Sequence, residues 1–314
     1  MVEGIFCAQL SEERQVPIYG LAPLARIWVL VEYTGAWERS AVLYNDLPEP
    51  ARRWLAEVAL SYETRQSMAV FIRRGPRSSG PLRCFVAITL PERQALYAFQ
   101  LASYEELPLL PLDQLEQGAP DYDCYLSAEP LYIVCTHGRH DQCCAKFGMP
   151  IYREAARLAG EQVWQCSHIG GDQFAANLVC LPHGIYYSRV KVPEVAAILE
   201  ADRQGKLYPE KCRGRAIYPQ PVQAAEHYLR QRTGQHELSA FVFLKARQDG
   251  AYHRVLFRSR LDGSLHSLRL VEQNHELATV ESCRCNLSGK LQRQEYCLLE
   301  HRIYIPQVQQ AAVS

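Results

Sequence analysis

Apolar residues along this chain fall into short β-branched or aromatic runs separated by stretches with helical spacing, the pattern of an α/β protein. The run 26–33 (RIWVLVEY), closed by Gly35, reads as a buried strand. Leu47, Ala51, Leu55 and Val58 then recur at helical intervals, with Asp46 available as a cap and Pro48 near the first turn, which predicts a helix over 47–60. Residues 68–73 (MAVFIR) are strand-like, and 75–81 (GPRSSGP) is a turn-rich break. Segments 84–90 and 95–101 complete a β-hairpin across Pro91 and Glu92, which gives a βαββ unit of roughly a hundred residues. The stretch 104–125, rich in Leu, Pro, Asp and Glu, reads as a linker.

A second unit opens with the strand 131–134 (LYIV), which delivers Cys135 at its carboxyl end, where α/β folds build their sites. Asp141 can cap a helix that starts at Cys143-Cys144 and kinks at Pro150; alternatively the helix begins only at Pro150. Ile151, Ala155 and Leu158 form its buried stripe and Gly160 ends it. Strand 163–166 presents His168 at its tip, and Gly170-Gly171 permits an unusual backbone turn. Segments 174–180 and 185–190 read as a hairpin, followed by a helix over 193–201. The order βαββα is that of a thioredoxin-like domain, and the smaller βαββ unit before it is open to the same reading. Beyond lie a helix (221–232), strands within 240–271 broken at Gln248-Asp249-Gly250 and Asp262-Gly263, and a β-rich segment 278–305 containing Cys283-Arg284-Cys285. The expected division is 1–125 (α/β unit plus linker), 126–235 (thioredoxin-like domain) and 236–314 (β-rich segment).

Length and composition leave this picture standing. At 314 residues the chain exceeds the size at which a single core stops growing. Lys plus Arg and Asp plus Glu balance at 34 each, so no net field draws it to nucleic acid or an anionic membrane. The start MVEGIFCAQLSEERQ lacks the basic and apolar regions of a secretory signal, and no apolar run reaches a membrane span, so the expected compartment is the cytoplasm. Twelve cysteines spread through such a chain are expected to be reduced. Cys7, Cys84, Cys124, Cys180, Cys212 and Cys297 stand singly and read as small buried hydrophobes. Lys211, Arg213 and Arg215 read as a solvated basic face, with docking of an acidic redox partner as the lesser reading.

Chemistry concentrates between residues 135 and 190. CTHGRHDQCC places Cys135, His137, His140, Asp141, Cys143 and Cys144 in one loop, and Cys166, His168 and Asp172 follow at the end of the next element. Cys135 and Cys144 are separated by eight residues and His168 and Asp172 by three, spacings that allow two thiolates to hold one iron and H-x3-D the other. His137 and His140 read as loop-shaping residues that bond to backbone, each able to donate to a cluster sulfur. Asp141 reads as a helix cap. Gly170 and Gly171 serve backbone geometry rather than phosphate binding, and the isolated Cys283/Cys285 pair is a weak zinc signal.

These residues resemble the sucrase/ferredoxin-like family, related to thioredoxin-like [2Fe-2S] ferredoxins. The shared motifs are C-T-H-G-x-x-D-x-x-C (Cys135, Thr136, His137, Gly138, Asp141, Cys144) and S-H-x-G-G-x-x-x-A-x-N (Ser167, His168, Gly170, Gly171, Ala175, Asn177). The segment LPxGxYY and the lead, with FCA at 6–8 and WVLVEYTGAW at 28–37, also fit. In that family the second block usually reads HxGGH, and the resemblance implies a cluster held, like a Rieske centre, by two cysteines and two histidines. Here Asp172 stands where the second histidine is expected. Three outcomes follow: Asp172 is the fourth ligand, a residue such as Cys143 or Cys166 substitutes, or the cluster is lost. A ligand set of Cys135, Cys144, His168 and Asp172 is expected to have a potential between the Rieske and all-cysteine ranges.

The expected function is a soluble thioredoxin-like [2Fe-2S] ferredoxin acting in electron transfer or redox sensing, with a redox protein as partner. Its rivals are a thiol-dependent oxidoreductase using Cys135 or Cys144, and a zinc-bound or cluster-less interaction module on the same residues. The thiol reading lacks the C-x-x-C pair expected at the strand–helix junction. Sucrose cleavage, suggested by the family name alone, needs two positioned carboxylates that the sequence does not single out.

Overall fold

The computed structural model describes residues 6–75, 80–279 and 290–305, with backbone alone at 275–279 and 290–293. Helix α1 (Cys7–Glu13) comes first and was not announced by the apolar pattern. Strand β1 (Ile27–Glu32), helix α2 (Glu49–Leu60), a single turn α3 (Tyr62–Arg65) and strands β2 (Ser67–Arg73), β3 (Leu82–Thr89) and β4 (Gln94–Leu101) follow. Pro48 leads into α2, and Ala51, Leu55 and Val58 make its buried face, as their spacing predicts. The stretch 104–125 is not a linker. It holds a 3-10 turn (Tyr104–Leu109), α4 (Leu112–Gln117) and a second 3-10 turn (Pro120–Tyr125), and Leu107, Leu112 and Leu115 bury into the core of the first unit. These anchors are too few to show a helical period, yet they tie the segment to the sheet.

The second unit runs β5 (Leu131–Cys135), α5 (Gln142–Ala159), β6 (Val163–Cys166), β7 (Leu178–Leu181), β8 (Ile185–Tyr187), α6 (Val195–Arg203) and β9 (Cys212–Arg215). The α5 helix starts behind its Asp141 cap and continues through Pro150, which settles the two starting points left open by the sequence. The hairpin strands are shorter than predicted, because Asp172–Phe174 takes a 3-10 turn instead of joining β7. Helix α7 (Gln220–Thr233) and strands β10 (Phe241–Asp249), β11 (Tyr252–Ser259), β12 (Leu265–Thr279) and β13 (Lys290–Tyr304) complete the described chain. Cys283-Arg284-Cys285 and the tail after Ile305 lie outside the described residues.

Among the described residues the strands form a nine-stranded mixed sheet, ordered β4-β3-β1-β2-β6-β5-β7-β8-β9, and an antiparallel sheet β10-β11-β12-β13 packed on α7. The large sheet contains one topology twice. In each half the first two strands are parallel, the third is antiparallel to the first, and the spatial order is second-first-third-fourth: β2-β1-β3-β4 and β6-β5-β7-β8. This is the thioredoxin-like order expected for the second unit, and the first unit shares it.

The halves join through β2 and β6, antiparallel, over only Ile72–Cys166 and Arg73–Gln165. So short a junction lets the sheet fold on itself. Rings far apart in strand order meet, with Trp28 to Tyr186 at 5.8 Å and Phe85 to Trp164 at 5.8 Å. One apolar core therefore draws on both halves, while α2 and α5 cover the opposite faces. The junction also brings together the carboxyl ends of β2 and β6, and the loop after β1 meets the loop after β5.

Candidate metal centre

Cys135 ends β5, and its neighbour Thr136 donates its N–H to the Cys166 carbonyl at 3.2 Å, which fixes the exit of the loop against β6. Asp141 then adopts an extended backbone and accepts the Cys143 N–H on its carboxylate at 2.7 Å. That cap starts α5 so that Cys144, in its first turn, faces back toward Cys135. Helix α5 can lie this close because residue 148 is glycine: a Cβ there would stand 2.0 Å from the Cys135 carbonyl oxygen.

The other arm of the site leaves β6 along β2, where Ser167 donates its N–H to the Phe71 carbonyl at 2.8 Å and accepts the Phe71 N–H on Oγ at 3.0 Å. Gly170 and Gly171 both have φ +85°, and a Cβ at Gly171 would meet Arg213 Nη1 at 2.2 Å. This turn folds Asp172 back onto His168, whose Nδ1 lies 3.0 Å from Asp172 Oδ1.

Ligand-capable atoms of Cys135, Cys144 and His168 lie within 4.8 Å of one another, and so do those of His140, His168 and Asp172. The two groups share His168. Cys144 Sγ stands 3.9 Å from His168 Nδ1 and 3.8 Å from Asp172 Oδ1. Thus Asp172 reaches the site, in contact with His168 and Cys144. Cys143 and Cys166 belong to neither group; Cys143 faces Cys7, Sγ to Sγ 3.5 Å.

The electrostatics of the site favour a thiolate. Hydrogen bonds from the Cys144 and Cys166 thiols hold Cys135 well below the usual thiol range, despite its burial. Cys144 is pushed up in turn by that bond, and Cys166 chiefly by burial. Burial opposes a charge on His168, but the bond to Cys135 and the Asp172 carboxylate outweigh it and raise the imidazole. Burial raises Asp172 and, with His168, lowers His140.

The first unit supplies part of the enclosure. Its loop after β1 places the Trp37 carbonyl 3.4 Å from His137 Nε2 and the Arg39 carbonyl 2.9 Å from His140 Nδ1, while Glu38 pairs with Arg139. His137 Nδ1 accepts the His168 N–H at 3.2 Å, so both of its nitrogens hold loops in place, as expected. A cleft of about 180 Å³ opens beside His137, His140 and His168 between these loops.

Two expectations are overturned here. Arg213 and Arg215 are not a solvated face: they are 5% and 4% exposed, because β9 carries them under the sheet edge. Arg215 pairs with Glu226 at 3.0 Å, and Arg213 donates to the Gly170 carbonyl at 3.0 Å beneath the glycine turn. Of the single cysteines, Cys124 is exposed and Cys212 and Cys297 are partly so; Cys7, Cys84 and Cys180 are buried. Sequence reasoning gave His140 a backbone-bonding role, which the structure shows, but not its partner, the Arg39 carbonyl 101 residues away. No helix among the described residues is long and apolar enough to cross a membrane.

Over 112 residues the chain is 25% identical to "Altered inheritance of mitochondria protein 32" of Meyerozyma guilliermondii, a match covering 32% of this chain and 40% of that protein. The chain thus matches about two fifths of the length of that curated relative. Among solved structures, a thioredoxin-like [2Fe-2S] ferredoxin from Aquifex aeolicus is similar at 16% identity and a TM-score of 0.26, over 30% of this chain and 97% of that one. The sequence pattern of the family described as "Sucrase/ferredoxin-like" matches residues 18–214, more than half of the chain, and the chain belongs to that family.

Proposed function

We propose that this protein carries a [2Fe-2S] cluster at the β5–α5 junction and acts in electron transfer or redox sensing. The observation that carries the reading is the convergence of Cys135, Cys144 and His168 within 4.8 Å, with Asp172 against them. The donor chemistry fits the group: soft thiolate sulfurs and a borderline imidazole suit iron–sulfur ligation, whereas a purely oxygen-binding ion has little to gain from two cysteines. Cys135 and Cys144 hold one side of the group, and His168 with Asp172 lines the other. When bound, such a cluster accepts and returns one electron at a time.

The chain's own residues set the conditions for this. Cys135 and Cys144 are buried and keep water from the thiolate side, while the half-buried His140 and His168 border the cleft and give the site an edge toward a partner. Redox titration of anaerobically purified protein, followed by visible absorption, tests the reading. A reversible one-electron couple is expected; absorbance that never recovers on reoxidation, or no couple at all, overturns it.

The lowered Cys135 thiol favours a second reading, a thiol-dependent oxidoreductase. Against it, Cys135 is only 1% exposed and offers a disulfide substrate no approach. Alkylation of native, metal-free protein separates the two: fast single-site labelling at Cys135 favours the thiol enzyme.

A further inference from the structure

We infer that His140, through Nε2, is the fourth protein donor at this centre in place of Asp172; the inference rests on the cluster reading above. His140 Nδ1 lies 2.9 Å from the Arg39 carbonyl oxygen. A carbonyl only accepts, so Nδ1 carries the hydrogen and the neutral ring keeps its lone pair on Nε2. This is how metal-binding histidines are commonly oriented, one ring nitrogen tied to backbone and the other directed at the metal.

The remaining geometry points the same way. His140 stacks on His168 with ring centroids 3.6 Å apart and planes 10° from parallel. Its Nε2 is 3.8 Å from Asp172 Oδ2, and the three side chains His140, His168 and Asp172 form one ligand-capable group. The other loop histidine cannot serve, because His137 spends Nδ1 on the His168 N–H and Nε2 on the Trp37 carbonyl. Asp172 is bonded to His168 through Oδ1, whereas its Oδ2 stands 3.8 Å from His140 Nε2, beyond hydrogen-bond reach, which leaves that lone pair uncommitted. Chemically, a neutral imidazole matches the borderline preference of an iron–sulfur iron better than a hard anionic carboxylate does. The histidine absent at position 172 is thereby supplied from the β5–α5 loop, and the first unit, through Arg39, holds it in place.

The test is pulsed electron paramagnetic resonance on the reduced, full-length protein labelled with nitrogen-15 histidine, with His140→Ala and Asp172→Asn alongside. Wild type is expected to show two strongly coupled histidine nitrogens, His140→Ala one, and Asp172→Asn still two. A single coupled nitrogen in wild type, or two that persist in His140→Ala, overturns the inference while leaving the cluster reading intact. If wild type takes up no iron under anaerobic reconstitution, both fall together. Because the wild-type spectrum alone counts the nitrogens, misfolding of a variant does not shield the inference.

Discussion

Gly148 lies so close to Cys135 that a side chain on one cannot coexist with the present position of the other: a Cβ at 148 would stand 2.0 Å from the Cys135 carbonyl oxygen and 3.1 Å from its carbon. The contact is with backbone, so relief requires α5 to move as a body. Gly148→Ala is therefore expected to destabilise the fold by about 1–3 kcal/mol, the usual cost of overpacking, which exceeds the roughly 1 kcal/mol that alanine gains over glycine in a helix. Denaturant unfolding and iron content measure it together. Unchanged stability with full iron loading would show that the helix approach does not set the Cys135–Cys144 geometry.

The parts of this arrangement that the sequence made legible are those written locally. The β5 and β6 runs, the Asp141 cap and the Gly170-Gly171 turn each follow from adjacent residues, and together they bring Cys135, Cys144 and His168 to one place. What escaped depends on distant partners. Arg215 looks solvated until Glu226 is seen to neutralise it, and Arg213 until its guanidinium is found bonded to the Gly170 carbonyl, 43 residues away. His140 looks like a loop residue until the Arg39 carbonyl fixes its ring. The likeness of the two halves was open in the βαββ order of the first unit, but it becomes definite only in the strand order, which apolar runs do not specify.

Loss of the helix cap has a separable effect. Asp141→Ala removes the acceptor of the Cys143 N–H and is expected to cost about 1 kcal/mol. It also frees the first turn of α5, which carries Cys144, so iron should be released faster to a chelator than from wild type. Equal release rates would separate the cap from the site.

Arg213 provides a lever on potential. Its guanidinium is buried beneath the Gly170-Gly171 turn and bonds to the Gly170 carbonyl; burial lowers its pKa to about 10, which leaves it charged at neutral pH. A fixed positive charge near a cluster favours the reduced form. Arg213→Gln is accordingly expected to lower the midpoint potential while retaining the iron, as read by redox titration. A potential equal to or above that of wild type contradicts this electrostatic role.

Away from the site, Glu226 binds Arg215 at 3.0 Å and Arg230 at 2.9 Å, all three buried. Burial alone would raise the carboxyl, but the two guanidiniums outweigh it and hold Glu226 below the usual carboxylate range. A depressed folded-state pKa contributes stability above the unfolded value of about 4.3, and that contribution is lost as pH falls through the folded value. Wild type should therefore lose stability more steeply below about pH 4 than Glu226→Gln, which should already be weaker by about 3–5 kcal/mol at neutral pH. Denaturant midpoints measured across that range decide the matter.

The central claim is that the β5–α5 junction holds an iron–sulfur cluster, and the most direct measurement is the iron, acid-labile sulfide and zinc content of protein purified without oxygen. The account predicts a coloured protein with about two irons and two sulfides per chain, lost when Cys135 or Cys144 is replaced by serine. Colourless protein without iron or sulfide after reconstitution, or one zinc per chain in their place, would contradict it.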